Sequence, residues 1–383
     1  RGKFEESLRR ELRRRLSPLG EIQFNYERGR IFILPAEGKE IFSEEDLVLL
    51  REESPLIAGV SSVSPGFLLP TDFAAIEAKV NSIFPKLYAS FSREYPDKEI
   101  TYAMRVRRTH KAFPLESKEI EIHFAQELVK SYPDLKIDLR NAELLLELEI
   151  RPQHSFLFWE RTEGAGGLPV GSGGKLLALL SGGFDSPVAC YQMFLRGCNI
   201  DFLTFHSSPY TPPATLSKVA DLVKRLNQLQ IPGKLFAVNL LPAQKEIRDK
   251  CQSRYRTILY RRMMLRIAEK LAYRQKAKAL LTGDNLGQVA SQTLDNMAII
   301  NNATEMLILR PLLAAEKVDT INLAQKIGTY DISIEDVPDS CTVFATNDPA
   351  TKALLRKVLQ DEEKLNIPEL LQECFNTLEI IPT

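Results

Sequence analysis

The chain has 383 residues, of which 44% are hydrophobic and 26% are charged. These values are typical of globular proteins, and the length suffices for two or three domains. Fifty basic residues balance fifty acidic ones, so a nucleic acid would have to be bound by a local basic patch. No apolar run approaches the roughly 20 residues of a membrane-spanning helix, and no signal peptide is recognised, which predicts a soluble protein without a membrane partner.

The chain contains five cysteines: Cys190, Cys198, Cys251, Cys341 and Cys374. Their number is odd, no CxxC pair occurs, and their spacing to the four histidines does not match a metal site. This pattern argues for reduced thiols and against a structural zinc site. The sequence therefore predicts a cytoplasmic protein with no structural metal.

Residues 1–70 predict a small α+β domain, which we expect to be incomplete at its start because the sequence opens with Arg1 instead of Met. An apolar helical stripe is formed by Phe4, Leu8, Leu12 and Leu16. Four arginines fall largely off that stripe, namely Arg9, Arg10, Arg13 and Arg14. They form either a solvated face or a surface that contacts RNA.

Residues 71–166 predict a second small α+β domain, which opens with a helix over residues 72–84. Residues 101–108 alternate apolar and basic side chains, as expected of a half-buried strand. Its outward face and the loop after it carry four basic residues, which are Arg105, Arg107, Arg108 and Lys111. These are either RNA-phosphate contacts or ordinary surface charges. Residues 164–175 contain six glycines and are interpreted as a linker or hinge.

From Leu176 onward, apolar runs alternate with helical segments. The run LLALL is typical of a parallel strand that is buried on both faces. This alternation predicts a doubly wound α/β domain over residues 167–383, with ligands bound at the carboxyl ends of the strands.

The stretch LLALLSGGFDSPVACYQMFLRG runs from such a strand through a Ser-Gly-Gly loop into a helix. Gly182 and Gly183 allow the backbone to approach an anion, and the helix N-terminus adds its positive end. Ser186 is expected to cap the helix, with Pro187 in its first position. Asp185 makes best sense beside an anion if Mg²⁺ bridges it to phosphate.

The pattern GxxxxGK[ST] is absent, so the loop has no lysine to hold a transferred phosphoryl group. The alternative is that the loop binds pyrophosphate as a leaving group, with AMP passed to a substrate oxygen. The competing interpretation is an ordinary strand-turn-helix junction.

The loop SGGFDS resembles that of the PP-loop ATP pyrophosphatases. Several further stretches resemble the tRNA 4-thiouridine synthetase family of tRNA sulfurtransferases: GAGGLPVG, FHSSPYT, RRMMLRIAE, LLTGDNLGQVASQTLDNM, LRPLL and IGTYDISIEDVPDSC. Upstream, RVRRTHKAFPLES resembles the THUMP domain of that family, and FEESLRRELRRRL resembles its N-terminal ferredoxin-like domain.

The resemblance implies an enzyme that adenylates uridine 8 of tRNA with Mg²⁺-ATP and replaces the 4-oxygen by sulfur. It also implies a homodimer in which the THUMP domain binds the 3′ end of tRNA. Some relatives in addition supply sulfur for the thiazole of thiamine.

The family's ATP contacts fall on twelve residues here: Leu179, Leu180, Ser181, Gly182, Gly183, Asp185, Ser186, Thr204, Phe205, Arg261, Gly283 and Gln292. Thr204 departs from the histidine that is usual in relatives, although backbone contacts to adenine would survive the change.

By resemblance, Cys341 carries the sulfur and Asp185 is the second catalytic residue. Many relatives continue into a rhodanese domain, whereas this sequence stops at Thr383. We therefore expect an external sulfur donor: a cysteine desulfurase, a separate rhodanese or free sulfide. The lack of a CxxC pair argues against an iron–sulfur cluster.

Two other functions stay open on the sequence alone. One is an amidating PP-loop ligase, which would not need Cys341. The other is a catalytically silent tRNA-binding protein, against which the intact loop speaks.

Overall fold

The structure is a computed structural model that describes residues 2–27, 29–39, 41–94, 99–338, 343–344, 346 and 348–383. The chain forms two compact units. The first comprises Arg1–Phe42, Glu52–Ser61 and Gly164–Thr383, and the second comprises Ser43–Arg51 and Ser62–Glu163.

The helices of the described residues are α1 (Gly2–Arg15), α2 (Glu44–Glu53), α3 (Phe73–Glu94), α4 (Ser117–Ser131), α5 (Asp185–Phe194), α6 (Pro213–Leu229), α7 (Leu241–Lys250), α8 (Arg256–Arg274), α9 (Leu294–Asn301), α10 (Lys317–Lys326), α11 (Tyr330–Ser333), α12 (Leu355–Glu362) and α13 (Ile367–Asn376). The strands are β1 (Gln23–Glu27), β2 (Arg30–Leu34), β3 (Ser62–Val63), β4 (Gly66–Leu69), β5 (Thr101–Arg108), β6 (Lys136–Ile137), β7 (Leu144–Ile150), β8 (Ser155–Phe158), β9 (Thr162–Glu163), β10 (Gly174–Leu179), β11 (Cys198–His206), β12 (Leu235–Asn239), β13 (Ala279–Leu281), β14 (Ile308–Leu309) and β15 (Glu379–Ile381). None of these helices is both long and apolar enough to span a bilayer.

The first unit is organised around a sheet with the strand order β14-β13-β10-β11-β12-β15. The first five strands pair in parallel, and β15 pairs antiparallel with β12 at one edge. The chain builds outward from β10 through β11 to β12 and then returns to the other side of β10 with β13. This reversal confirms the doubly wound fold class and creates a switch point between β10 and its neighbours, where such sheets bind ligands.

Helices cover both faces of this sheet. On one face, residues of α7, α8, α12 and α13 pack on alternate strand residues such as Leu177 and Leu203. On the other face, α5, α6 and α10 pack on Leu176, Ala178 and Phe202. Since neighbouring residues of β10 point into opposite cores, the strand has to be apolar along its length, as the run LLALL predicted.

The N-terminal helix uses its arginines for contacts within the first unit. Arg14 donates to the backbone oxygens of Asn227 (3.3 Å) and Gln228 (3.0 Å), at the C-terminal end of α6. Arg9 lies over the Tyr26 ring at 4.1 Å from its centroid. At these two positions the arginines therefore make contacts within the first unit instead of being purely solvated.

Residues 164–175, which are rich in glycine, lead the chain back into the first unit. They are not the flexible linker that their composition suggested. A Cβ on Gly167 would lie 2.1 Å from the Leu195 oxygen, and one on Gly173 would lie 2.4 Å from the Arg196 oxygen. Backbone hydrogen bonds join Gly171 and Gly173 to the Gly197 oxygen, each at 2.8 Å. These glycines serve close backbone packing instead of flexibility.

The second unit contains a five-stranded sheet with the order β4-β8-β7-β5-β6, together with α3 and α4. The predicted helix at residues 72–84 begins one residue later and continues through Pro85 to Glu94. Leu87, Tyr88 and Phe91 extend its apolar stripe and pack on the core, which outweighs the proline. On α4, His123 lies between two carboxylates, Glu77 at 2.7 Å and Glu127 at 3.3 Å, a cluster that the sequence did not predict.

A buried ion cluster ties α8 to α12. Arg262 donates to both carboxylate oxygens of Glu362, at 3.0 and 2.8 Å, and Arg266 does the same at 2.7 and 2.8 Å. Burial raises the pKa of Glu362, but the hydrogen bonds and charges of Arg266 and Arg262 outweigh it and lower the pKa from 4.5 to about 2.

We expect Glu362→Gln to destabilise the protein by about 3 kcal/mol at pH 7, because it leaves the buried Arg262 without its counter-ion. Wild type should lose this contribution as the pH falls from 4.5 to about 2, since the pKa of Glu362 is depressed in the folded state. Denaturant unfolding at several pH values measures both effects. The neighbouring exposed Glu363→Gln is the control, and equal stability of the two variants would contradict the prediction.

Candidate functional site

A cavity of about 670 Å³ opens at the carboxyl ends of β10, β11 and β13. It therefore lies at the switch point of the parallel sheet. All twelve residues that the sequence proposed as nucleotide contacts line it: Leu179, Leu180, Ser181, Gly182, Gly183, Asp185, Ser186, Thr204, Phe205, Arg261, Gly283 and Gln292. The structure thus brings together side chains that are separated by more than a hundred residues in the chain.

The loop between β10 and α5 is held closed by its two serines. The Ser181 amide donates to Ser186 Oγ at 3.1 Å, and the two hydroxyl oxygens lie 3.3 Å apart. Helix α5 begins at Asp185, with Phe184 as its N-cap and no side-chain cap. The predicted capping role of Ser186 is therefore wrong, because its hydroxyl is used to fold the loop back on Ser181.

Three glycines shape the cavity in two different ways. A Cβ on Gly183 would meet only Ser181 Oγ, at 3.9 Å, so its missing side chain leaves open space at the loop. A Cβ on Gly182 would lie 3.5 Å from the side chain of Lys218. In contrast, a Cβ on Gly283 would lie 2.7 Å from the Ser186 nitrogen and 2.8 Å from the Asp185 carbonyl carbon. Gly283 therefore lets the end of β13 touch the start of α5.

Asp185 is a half-buried carboxylate at the first position of α5. Burial raises its pKa, which a hydrogen bond with Gln288 and the charge of Lys317 only partly oppose. Lys317 begins α10 and is exposed. A nearby cation would therefore stabilise the charged form of Asp185, and the carboxylate oxygens could act as its ligands.

Asp284 is a second cavity carboxylate, and the sequence analysis did not single it out. It pairs closely with Arg261, accepts from Arg310 Nε at 3.2 Å and accepts from Thr282 at 2.8 Å. Burial would raise its pKa, but Arg261, Thr282 and Arg310 outweigh burial and lower it. In the sequence, Asp284 was marked only by its position in the stretch LLTGDN, and its partner Arg310 only by its position in LRPLL.

The loop contains no lysine, but Lys218 lines the same cavity. It comes from α6, and its side chain is buried. Its Nζ donates to the backbone oxygens of Ser333 (2.8 Å) and Glu335 (2.7 Å). No pattern in the sequence pointed to it, because helix α6 meets the loop only in the folded state.

The cysteines divide into two groups. The thiols of Cys190, Cys198, Cys251 and Cys374 are all buried and free. Burial raises the pKa of each, to about 11 for Cys251 and Cys374. Cys341 lies outside the described residues, but Pro338 before it and Thr346 after it both line the cavity.

The basic stretch lies in the second unit, on and after β5. Arg105, Arg107 and Lys111 are exposed. Arg108 donates to the backbone oxygens of Phe113 (2.9 Å) and Leu115 (3.0 Å), so it braces the loop that carries Lys111.

A doubly wound sheet whose switch-point loop reads SGGFDS, without the lysine of GxxxxGK[ST], is the arrangement of the PP-loop class of nucleotide-binding enzymes. A family model described as thiamine biosynthesis protein (ThiI) matches residues 171–367, and the THUMP domain model matches residues 77–160. A probable tRNA sulfurtransferase of Alkaliphilus oremlandii is 37% identical over 378 residues, which cover 98% of this chain and 93% of that protein. One from Caldanaerobacter subterraneus is 43% identical over 271 residues, 71% of each chain. The chain belongs to the tRNA sulfurtransferase (ThiI) family and is an enzyme of tRNA thiolation, which confirms the resemblance.

Solved structures agree with this assignment. A 4-thiouridine synthetase in complex with RNA and bound ATP superposes with a TM-score of 0.84 at 34% identity, covering 100% of this chain and 95% of that one. PH1313 from Pyrococcus horikoshii superposes with a TM-score of 0.62 at 20% identity and covers 86% of this chain and 94% of that one, which shows a shared fold.

The two glycine roles predict different defects. We expect Gly283→Ala to lower stability by about 1–3 kcal/mol, because its Cβ would overlap the backbone of α5. Gly183→Ala should melt as wild type does but weaken ATP binding about tenfold or more, because its Cβ fills the space at the loop. Thermal melting and ATP titration measure the two effects separately. A Gly183→Ala variant that binds ATP normally would show that the loop does not hold the nucleotide.

Proposed function

We propose that this enzyme binds Mg²⁺-ATP in the cavity, adenylates uridine 8 of a tRNA on O4 and replaces that oxygen by sulfur, giving 4-thiouridine. The proposal rests on the cavity at the switch point. The twelve proposed nucleotide contacts all line this cavity, around the loop that contains Gly182 and Gly183. In the proposed reaction O4 attacks the α-phosphorus and pyrophosphate leaves. A sulfur nucleophile then attacks C4, and AMP leaves.

The residues of the loop suit a leaving pyrophosphate. The space above Gly183 is open, and the N-terminus of α5 offers amide donors with a positive dipole. Arg261 is held by Asp284 and also donates to Ser291 Oγ at 3.1 Å, so its guanidinium is fixed in the cavity wall. Preorganised donors of this kind stabilise charge that develops as the α–β bond breaks.

Asp185 is the carboxylate that would hold Mg²⁺. Its half-buried position and raised pKa favour a cation partner, and its oxygen ligands suit a hard ion. Asp284 is already occupied by Arg261 and Arg310, so it does not compete for the ion. When bound, Mg²⁺ would neutralise the phosphates of the nucleotide, while the protein orients them through the loop.

Cys341 is proposed as the sulfur carrier. The four described thiols are buried with raised pKa values, so they are poor nucleophiles near neutral pH. Cys341 follows Pro338 of the cavity wall by three positions, a length of chain that spans at most about 11 Å. We propose that the sulfur comes from outside: a cysteine desulfurase or a separate rhodanese would pass sulfane sulfur to Cys341 as a persulfide, whose terminal sulfur attacks C4 before a thiol such as free cysteine cleaves the S–S bond. Free sulfide, the third candidate source, would attack C4 directly, because it cannot form a persulfide on Cys341 without an oxidant.

The remaining assignments complete the proposal. The chain would comprise an N-terminal ferredoxin-like module (1–70), a THUMP module (71–166) and a PP-loop module (167–383). Arg105, Arg107 and Lys111 would contact phosphates of tRNA, and Arg108 would hold the loop of Lys111 in place. A homodimer, a cytoplasmic location and a second role as sulfur supplier for the thiazole of thiamine follow the family. Four free thiols among the described cysteines fit a reducing compartment.

Incubation with unmodified tRNA, Mg²⁺-ATP, cysteine and a cysteine desulfurase tests the reaction. Nucleoside mass spectrometry should find uridine with one oxygen replaced by sulfur. Asp185→Ala should lower both pyrophosphate release and thiolation by about a hundredfold or more. Cys341→Ser should keep pyrophosphate release and lose thiolation, whereas the buried control Cys251→Ala should keep both. Full thiolation by Cys341→Ser would contradict the assigned carrier, and amidated product would favour a ligase instead.

Binding of tRNA should depend on salt through the basic stretch. We expect Arg105→Ala, Arg107→Ala and Lys111→Ala each to reduce the slope of log K against log salt by about 1, because each removes one phosphate contact. The exposed Lys136, which pairs with Glu99 in the same unit, provides the control variant Lys136→Ala. Equal slopes for all four variants would place the RNA surface elsewhere.

A further inference from the structure

Lys218 is a buried ammonium that contacts the two parts of the site that the reaction must coordinate. Its carbon chain passes Gly182 of the loop, where a Cβ would lie 3.5 Å from Cδ and Cε and 3.6 Å from Nζ. Its Nζ bonds to two backbone oxygens at the C-terminal end of α11, those of Ser333 and Glu335. That segment leads to Cys341 within six residues of Glu335.

The charge of Lys218 is only partly compensated. No carboxylate lies within ion-pair distance of its Nζ among the residues that the structure describes, so its neighbours there are carbonyl dipoles. A buried cation without a counter-ion is costly, which favours an anion beside it. An ammonium has three donors, and the two carbonyls use two of them. The third donor is available for a phosphate oxygen at Gly182.

The same helix holds the segment at a second point. Thr215, one helical turn before Lys218, donates its hydroxyl to the Pro338 oxygen at 3.0 Å. The first turns of α6 therefore contact the chain from Ser333 to Pro338 at three backbone oxygens. These contacts connect one wall of the cavity to the segment that precedes Cys341.

We propose that Lys218 is a positioning residue that couples the phosphates at the loop to the segment carrying Cys341. This inference rests on the proposed function of the cavity. When phosphate is bound, the third donor of the ammonium bonds to it while the other two stay on the oxygens of Ser333 and Glu335, which ties the segment to the loop. When pyrophosphate leaves, only the two carbonyl bonds remain, and the tie between segment and loop is lost. Sulfur delivery thereby follows adenylation, and a reactive sulfur is not presented before the uridine is activated.

The test measures how fast Cys341 is alkylated with and without a nonhydrolysable ATP analogue at saturating concentration. Peptide mass spectrometry reads Cys341 directly, and the four buried thiols provide internal standards. In wild type the analogue should slow the alkylation of Cys341 by about fivefold or more, and faster alkylation would contradict the coupling. Lys218→Met, which keeps the length but removes the charge and the donors, should abolish this change. Lys218→Arg should restore it in part. Lys224→Ala, an exposed lysine on the same helix, should behave as wild type.

Each result decides the matter. The coupling is refuted if wild type shows no change on adding the analogue, or if Lys218→Met responds as wild type does. Should Lys218→Met fail to fold, as judged by its melting transition, Lys218→Gln replaces it, since an amide can still donate to the carbonyls without charge. Wild-type thiolation of tRNA is measured alongside. Its absence would refute the proposed function, whereas normal thiolation without coupling would refute only the role of Lys218.

Discussion

The close approach of β13 to the start of α5 is the constraint on which the site depends. Gly283 lies so near the backbone of Asp185 and Ser186 that no side chain fits between them. This contact sets where the loop turns, and the bonds between Ser181 and Ser186 then close it. An anion site built from backbone amides needs this precision, because amides cannot be repositioned by a change of rotamer. The parallel sheet supplies it by bringing two strand ends to the same edge.

The charges of the cavity are arranged around that loop in two ways. Asp284 neutralises Arg261 and Arg310 and holds them in the wall, so these cations are fixed before a ligand arrives. Lys218, in contrast, donates to backbone oxygens only, and Asp185 is only partly compensated by Gln288 and Lys317. The two lie next to Gly182 and at the start of α5, respectively. Arg261 and Arg310, which are paired with Asp284, give the cavity its shape. Lys218 and Asp185, whose charges are only partly compensated, give it the capacity to bind a charged substrate.

The sequence predicted features whose residues are adjacent in the chain. It missed contacts that form only when distant segments fold together. An apolar strand, a Ser-Gly-Gly turn and a following helix are adjacent in the chain, so the loop and the doubly wound fold were both predicted. Even there the role of Ser186 was wrong, since a hydroxyl near a helix start can bond forward as a cap or back to the loop. Lys218 and Asp284 could not be predicted from their neighbours, because their partners at Ser333 and Arg261 lie more than twenty residues away. Likewise, the glycines of 164–175 suggested flexibility, although they pack against Leu195 and Arg196.

Burial sets the chemistry of the four described cysteines. Cys190, Cys198, Cys251 and Cys374 lie in the two cores of the sheet, where a thiolate would lose its solvation, so their protons are retained at neutral pH. They cannot compete for sulfur or be oxidised readily. Both chain segments that flank Cys341 line the nucleotide cavity. The fold thus keeps four thiols inert and holds the described residues on either side of Cys341 at the cavity wall.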